Sequence, residues 1–249
     1  MRISRHFRAL RRIGQGLTSA LMPALMLAPI LAGAAAGLAA GTAAAEPVRL
    51  MAFGDSLTHG YGLSPGDTFP EQLEAALRAD GLDVTVINAG NSGDTTAGGR
   101  ARLDWALADD PDAVILELGA NDGLRGLDPA ATYDNLDAIM ARLTGEDLPV
   151  LIAGMLAPPN LGREYGEAFN AVFPRLAKKY DQPFYPFFLD GVALDPALNQ
   201  ADGIHPNAAG VAEIVARIKP HVVRLLEAKS LAERSGAERS GAERPGAGN

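Results

Sequence analysis

Val48-Arg49-Leu50-Met51-Ala52-Phe53-Gly54-Asp55-Ser56 is the stretch whose reading decides the fold. Val48 to Phe53 is a short, largely apolar run, and Gly54-Asp55 closes it with turn residues. The same pattern recurs four times, at Val84 to Asn88, Ala113 to Leu118, Val150 to Met155, and Phe184 to Phe188, where Pro186 interrupts the run. Between these candidate strands stand helical segments at Thr68 to Ala79, Ala97 to Ala108, Pro129 to Leu143 and Glu164 to Lys179, and a last one runs from near Asn207 to about Ala228. Asp128 before Pro129 is an N-cap followed by proline at the first helical position, and Tyr133, Leu136, Ile139, Met140 and Leu143 form one apolar stripe behind it. Strands alternating with helices predict an α/β fold with a five-stranded parallel sheet covered on both faces. In such open sheets the reactive crevice lies beyond the carboxyl ends of the strands. The loops beginning near Gly54, Ala89, Gly119, Leu156 and Leu189 are therefore where chemistry is expected.

Composition bounds what that chemistry can be. The chain has 249 residues, 47% hydrophobic and 21% charged, the balance of a soluble globular domain. It contains no cysteine, which excludes a thiol nucleophile, disulfides, a thiolate zinc site and a lipid-modified cysteine. Residues 1–45 read as an export signal. Arg2, Arg5, Arg8, Arg11 and Arg12 form a basic end, Ile13 to Ala45 carries no charge, and Ala43-Ala44-Ala45 supplies the small residues a signal peptidase needs before Glu46. A retained membrane anchor is the other reading, weakened by Pro23, Pro29 and many Gly and Ala residues. Without the signal, 204 residues remain with 17 basic and 30 acidic side chains, a formal charge of −13. Such a field opposes nucleic acid and anionic membrane surfaces, so neither is an expected partner, and no stable membrane insertion is expected after processing. The domain is expected over residues 46–229. Residues 230–249, with Ala-Glu-Arg three times at a spacing of five, are expected to be a disordered, solvated tail.

Ser56 follows the first strand directly, at the entry to an expected helical turn where unpaired N–H groups would favour both an alkoxide and the oxyanion it creates. Gly-Asp-Ser alone is equally an ordinary turn with a capping serine. A serine needs a base, usually histidine. Of four histidines, His6 lies in the signal, His221 sits inside the last helical segment and His59 has no carboxylate fixed beside it by local geometry. His205 lies in Asp202-Gly203-Ile204-His205-Pro206, where Asp202 can hold the second ring nitrogen, Gly203 allows a tight turn and Pro206 keeps His205 out of helix. A turn with a cap at Asn207 would read the same way. Two further loops offer oxyanion donors: Gly93 in Asn91-Ser92-Gly93-Asp94-Thr95-Thr96, and the Asn121 amide in Gly119-Ala120-Asn121-Asp122-Gly123.

With these four blocks in order, the chain resembles the SGNH hydrolases of the GDSL class, named for a Ser, a Gly, an Asn and a His. The similarity runs from Val48 to about Leu226 and is nearest the bacterial secreted arylesterase, acyl-CoA thioesterase I and lysophospholipase L1 group, supported also by Leu116-Glu117-Leu118-Gly119 and Asn121-Asp122-Gly123-Leu124-Arg125-Gly126. The resemblance implies a three-layer α/β/α sandwich of flavodoxin-like type. It implies Ser56 as nucleophile, His205 as base then acid, Asp202 orienting it, and an oxyanion hole from the N–H groups of Ser56 and Gly93 with the Asn121 side chain. Two departures stand out: Ala120 replaces a frequent second glycine, and His59 occupies a usually small position.

No cofactor is expected, and the absence of His-Glu-x-x-His gives metal-dependent hydrolysis little support. The strained elbow of the α/β-hydrolases requires Gly-x-Ser-x-Gly, which does not occur. The expected substrate is a small-molecule acyl ester or thioester, with Leu57, Met155 to Asn160 and Phe187 to Leu194 as candidates for the acyl pocket. A carbohydrate O-acetyl esterase of the same fold and a non-catalytic exported binding protein are the competing readings. The signal predicts a periplasmic or secreted location.

Overall fold

The structure, a computed structural model, describes residues 46–242, with side chains to residue 231. The expected export signal and residues 243–249 of the expected tail lie outside the described residues.

Five strands form one parallel sheet, β1 (Val48–Gly54), β2 (Val84–Gly90), β3 (Ala113–Glu117), β4 (Val150–Ala153) and β5 (Phe184–Tyr185), in the order β2-β1-β3-β4-β5. This is the flavodoxin-like order, with the chain reversing its direction of travel across the sheet after β2. Right-handed crossovers then put the first connecting helix on one face and the later ones on the other. Accordingly α2 (Phe69–Ala79) packs with α8 (Ala208–Ala242), while α3 (Thr96–Leu107), α5 (Pro129–Thr144) and α7 (Val172–Tyr180) pack together. The result is the expected three-layer sandwich. Gly54 is in register with both Gly90 and Glu117, so three strands end level and their loops share one rim.

Helix ends follow from local chemistry. Thr68 and Glu71 make a capping box at α2, with Pro70 in its first turn. Asp128 accepts a hydrogen bond from the Ala130 N–H at 2.9 Å, and Leu136, Ile139, Met140 and Leu143 of α5 are buried against the sheet.

Three expectations are corrected. The segment from Glu164 to Lys179 is two helices, α6 (Arg163–Asn170) and α7, broken at Ala171. Pro174 cannot donate to the Asn170 carbonyl and would crowd it, so a continuous helix is disfavoured there. Strands β4 and β5 stop short of Met155 and Phe188: Pro186 ends the ladder, and the Phe188 N–H turns back to the Gly154 carbonyl at 2.9 Å. Finally, α8 does not end near Ala228 but continues to Ala242, so the first part of the expected disordered tail is helical. Ala, Glu and Arg are strong helix formers, and a helix already nucleated by packing extends through them despite the cost of Gly236 and Gly241.

Candidate active site

The carboxyl end of β1 enters α1 (Ser56–His59) with Asp55 as N-cap, its Oδ1 accepting the Leu57 N–H at 3.0 Å. Ser56 is thus the first helical residue, and the turn closes when the Gly60 N–H bonds the Ser56 carbonyl. On the loop before α8, Asp202 Oδ1 accepts the N–H groups of Ile204 at 2.9 Å and His205 at 3.0 Å. Its Oδ2 is 2.7 Å from His205 Nδ1, and His205 Nε2 is 2.9 Å from Ser56 Oγ. Serine, imidazole and carboxylate therefore form a continuous chain, although 149 residues separate its ends in sequence.

Packing holds the ring in that line. Tyr61 lies against His205 with centroids 4.7 Å apart. Gln200 donates to the carbonyls of Tyr61 and Pro206, and its own N–H bonds the His205 carbonyl at 2.7 Å. The Asp202 carboxyl is held down at about 2, first by the His205 backbone N–H, then by the His205 ring and the Ile204 N–H, so it is ionised throughout the neutral range.

Asn121 lies in the short helix α4 (Ala120–Leu124) that follows β3. Its Nδ2 donates to Asp55 Oδ2 at 3.2 Å, while Arg125 Nη2 is 3.4 Å from its Oδ1 and donates to the Gly93 carbonyl at 3.0 Å. One guanidinium thus spans the two loops that carry Gly93 and Asn121. Gly93 has φ +87°, with open space where a Cβ would stand, so backbone conformation and not crowding calls for glycine. Arg102 anchors the same loop: it pairs with Asp94 at 2.5 Å and donates to the carbonyls of Ala89 and Gly54.

Beside Ser56 opens a cavity of about 580 Å³. Leu57, Met155 to Pro159, Phe187, Leu189, Ala193 and Leu194 line it, with Asn121 and His205 at its polar end. Asn160 does not line it, and Phe188 is fully buried in the core. Leu124, at the end of the five-residue α4, and Ile204, in the Asp202 loop, also line it, two residues that periodicity could not single out because their segments are too short to show one. Neither Gly93 nor His59 lines the cavity. His59 is exposed, with Nδ1 2.8 Å from Ser92 Oγ, and so faces the Gly93 loop instead of the serine. His221 packs edge-on against Tyr185, 5.1 Å between centroids. Among the described residues no cluster of three or more His, Asp or Glu side chains could hold a metal ion, and no helix is long and apolar enough to cross a membrane.

Sequence reasoning gave no role to Thr58, Arg102, Arg125 or Glu117, although Arg125 and Glu117 stand in the motifs that carry the resemblance; all four hydrogen-bond to the turn and loops of the site. Glu117 carried a usable signal: it is an acid ending an otherwise apolar strand, and it is fully buried.

Residues 52–212 match the model of the GDSL-like lipase/acylhydrolase family. The chain is 40% identical over 178 residues to an esterase, TesA, of Pseudomonas aeruginosa, covering 71% of this chain and 89% of that one. It is 41% identical over 165 residues to the thioesterase 1/protease 1/lysophospholipase L1 of Escherichia coli K12, covering 66% and 78%. Among solved structures it is similar to AlinE4, an SGNH-hydrolase family esterase, with 47% identity, a TM-score of 0.62 and coverage of 73% and 97%.

Proposed function

The chain belongs to the GDSL-like lipase/acylhydrolase family, and from that membership we propose that it is a serine hydrolase of carboxylic esters and thioesters working through an acyl-Ser56 intermediate. The observation that carries this reading is the unbroken line Ser56 Oγ to His205 Nε2, 2.9 Å, and His205 Nδ1 to Asp202 Oδ2, 2.7 Å, at the polar end of an apolar cavity. His205 takes the Ser56 proton as Oγ attacks the acyl carbon, and Asp202 stabilises the imidazolium. The tetrahedral oxygen is held by the N–H groups of Ser56 and Gly93 and by Asn121 Nδ2. Collapse of that intermediate expels the alcohol or thiol, protonated by His205, and water, activated by the same ring, then releases the acid.

The cavity supports an acyl chain over an acetyl group as the part recognised. Residues 1–45 support export to the periplasm or beyond, after which the domain spans residues 46–229 with a carboxyl-terminal extension. There, acyl-CoA is not the expected natural substrate, since it belongs to the cytoplasm and an acidic protein would not attract it. Small esters and lysophospholipids fit better.

A series of nitrophenyl esters from C2 upward tests the proposal, with Ser56→Ala and fluorophosphonate labelling as controls. Activity kept or gained at C6 and above, with labelling and a loss on the order of 10⁴-fold or more in kcat for Ser56→Ala, is the expected outcome. Collapse beyond C4 would favour a carbohydrate O-acetyl esterase, and an unlabelled Ser56 a binding protein without catalysis.

A further inference from the structure

Directly behind the nucleophile turn lies a buried acid that the chemistry above does not use. Glu117, the last residue of β3, is fully buried. Its Oε2 accepts the Thr58 hydroxyl at 2.7 Å and the Asp55 N–H at 3.3 Å. Thr58, also fully buried, lies two residues after Ser56, and Asp55 lies one before it, so a single carboxyl oxygen holds the turn from both sides. The other oxygen, Oε1, is buried with no hydrogen-bond partner.

We propose that Glu117 is a positioning residue that works as a neutral carboxylic acid, so that its neighbour Asp55 alone carries the charge and orients the Asn121 amide. This rests on the hydrolase reading for what the turn does. Among the described residues Glu117 pairs with no cation. The charged and titratable groups that face the turn are Asp55 itself, Asp94 paired with Arg102, the Arg102 guanidinium on the Gly54 carbonyl, and the His205 imidazole across Ser56. Strand β4 brings only Ala153 alongside. An ionised Glu117 would leave one charged oxygen buried without a donor, beside a second buried carboxyl group. In the neutral form Oε2 still accepts both donors, and the proton resides on Oε1.

Burial, and then the charge of Asp55, push the Glu117 pKa well above the carboxylate range. Burial raises Asp55 only to about 6, because the Leu57 N–H and the Asn121 amide favour its charged form. Asp55 therefore loses its proton first. As a carboxylate it can only accept, which points Asn121 Nδ2 at Oδ2. A protonated Asp55 could donate to Asn121 Oδ1 and let the amide turn over.

The test joins infrared spectroscopy to kinetics. In deuterated buffer at pD 8, wild type should show the carbonyl stretch of a protonated carboxylic acid, and Glu117→Gln should lack it. Glu117→Ala should lower kcat about a hundredfold with KM little changed, since the turn loses its acceptor, and Glu117→Gln should restore kcat to within about fivefold of wild type. No band lost in Glu117→Gln, a Gln variant as slow as the Ala variant, or an Ala variant as fast as wild type would each overturn the proposal. If Glu117→Ala does not fold, the band and the kcat of Glu117→Gln decide the matter. A wild-type protein that shows the band but hydrolyses no ester would sink the hydrolase reading instead.

Discussion

Asp55 is the residue where stability and activity pull apart. Its carboxyl is fully buried and raised to about 6, so between about pH 4 and 6 the folded protein keeps a proton that the unfolded chain has released. Stability contributed by this group is therefore lost as pH rises through that window, and the deficit is complete above it. Asp55→Asn should remove the deficit, gaining on the order of 2 to 4 kcal/mol at pH 7 relative to its effect at pH 4, as read from urea unfolding at the two pH values. A gain independent of pH would refute the assignment. The same variant should lose roughly tenfold to a hundredfold in kcat, because an amide at position 55 no longer dictates which way Asn121 points. Asp202 behaves oppositely: its carboxyl is held down at about 2, and in the proposed mechanism it sets the tautomer of His205. Asp202→Asn should lower kcat by roughly 10³- to 10⁴-fold and slow fluorophosphonate labelling of Ser56 in parallel, because both reactions draw on the same activated hydroxyl.

At the scale of elements, the site depends on how closely α1 sits against the ends of β1 and β3. A Cβ on Gly54 would come within 2.1 Å of Thr58 Oγ1, 2.4 Å of Glu117 Oε2 and 2.7 Å of the Glu117 backbone oxygen. The last of these cannot move without breaking the sheet. Gly54→Ala is expected to destabilise by about 3 kcal/mol or more and to abolish hydrolysis, measured by thermal unfolding and initial rates. A variant with wild-type Tm would show that α1 is not seated so tightly. The break between α6 and α7 serves the cavity in turn, since Asn170 at the end of α6 accepts the Ala157 N–H at 2.8 Å and so fixes a segment of the cavity wall.

At the scale of the molecule, half of the exposed large apolar side chains among the described residues gather at one place. Leu124, Leu156, Leu194 and Ile204 are all well exposed, and all of them line the cavity beside Ser56. Leu194 is the extreme case, 87% exposed with φ +67°, a conformation leucine adopts at a cost. Exposed side chains can be changed without disturbing the core. Leu156→Asp and Leu194→Asp should therefore each raise KM for C8 and longer esters by roughly fivefold to tenfold and leave C2 esters nearly unaffected, from loss of apolar contact of about 1 to 1.5 kcal/mol. Equal losses at every chain length would place the acyl chain elsewhere.

How much of this was legible follows from the range of the forces involved. Strand and helix periodicity, the cap at Asp128, and turn residues at Gly54 and Gly203 act within a few residues, so the chain alone determined the layer architecture and the membership of the four motif loops. It also carried Asp202 and His205 as a pair, because they share one tight loop. What only the tertiary structure decided is what depends on distant segments meeting: the 2.9 Å approach of His205 to Ser56, the Arg125 guanidinium spanning Gly93 and Asn121, and the burial of Glu117 beneath Thr58. Periodicity also misjudged the end of α8 and the break at Ala171, where propensity and one proline outweighed the pattern. Burial and hydrogen bonding between remote residues arise from the closing of the sheet, and no window of sequence contains both partners.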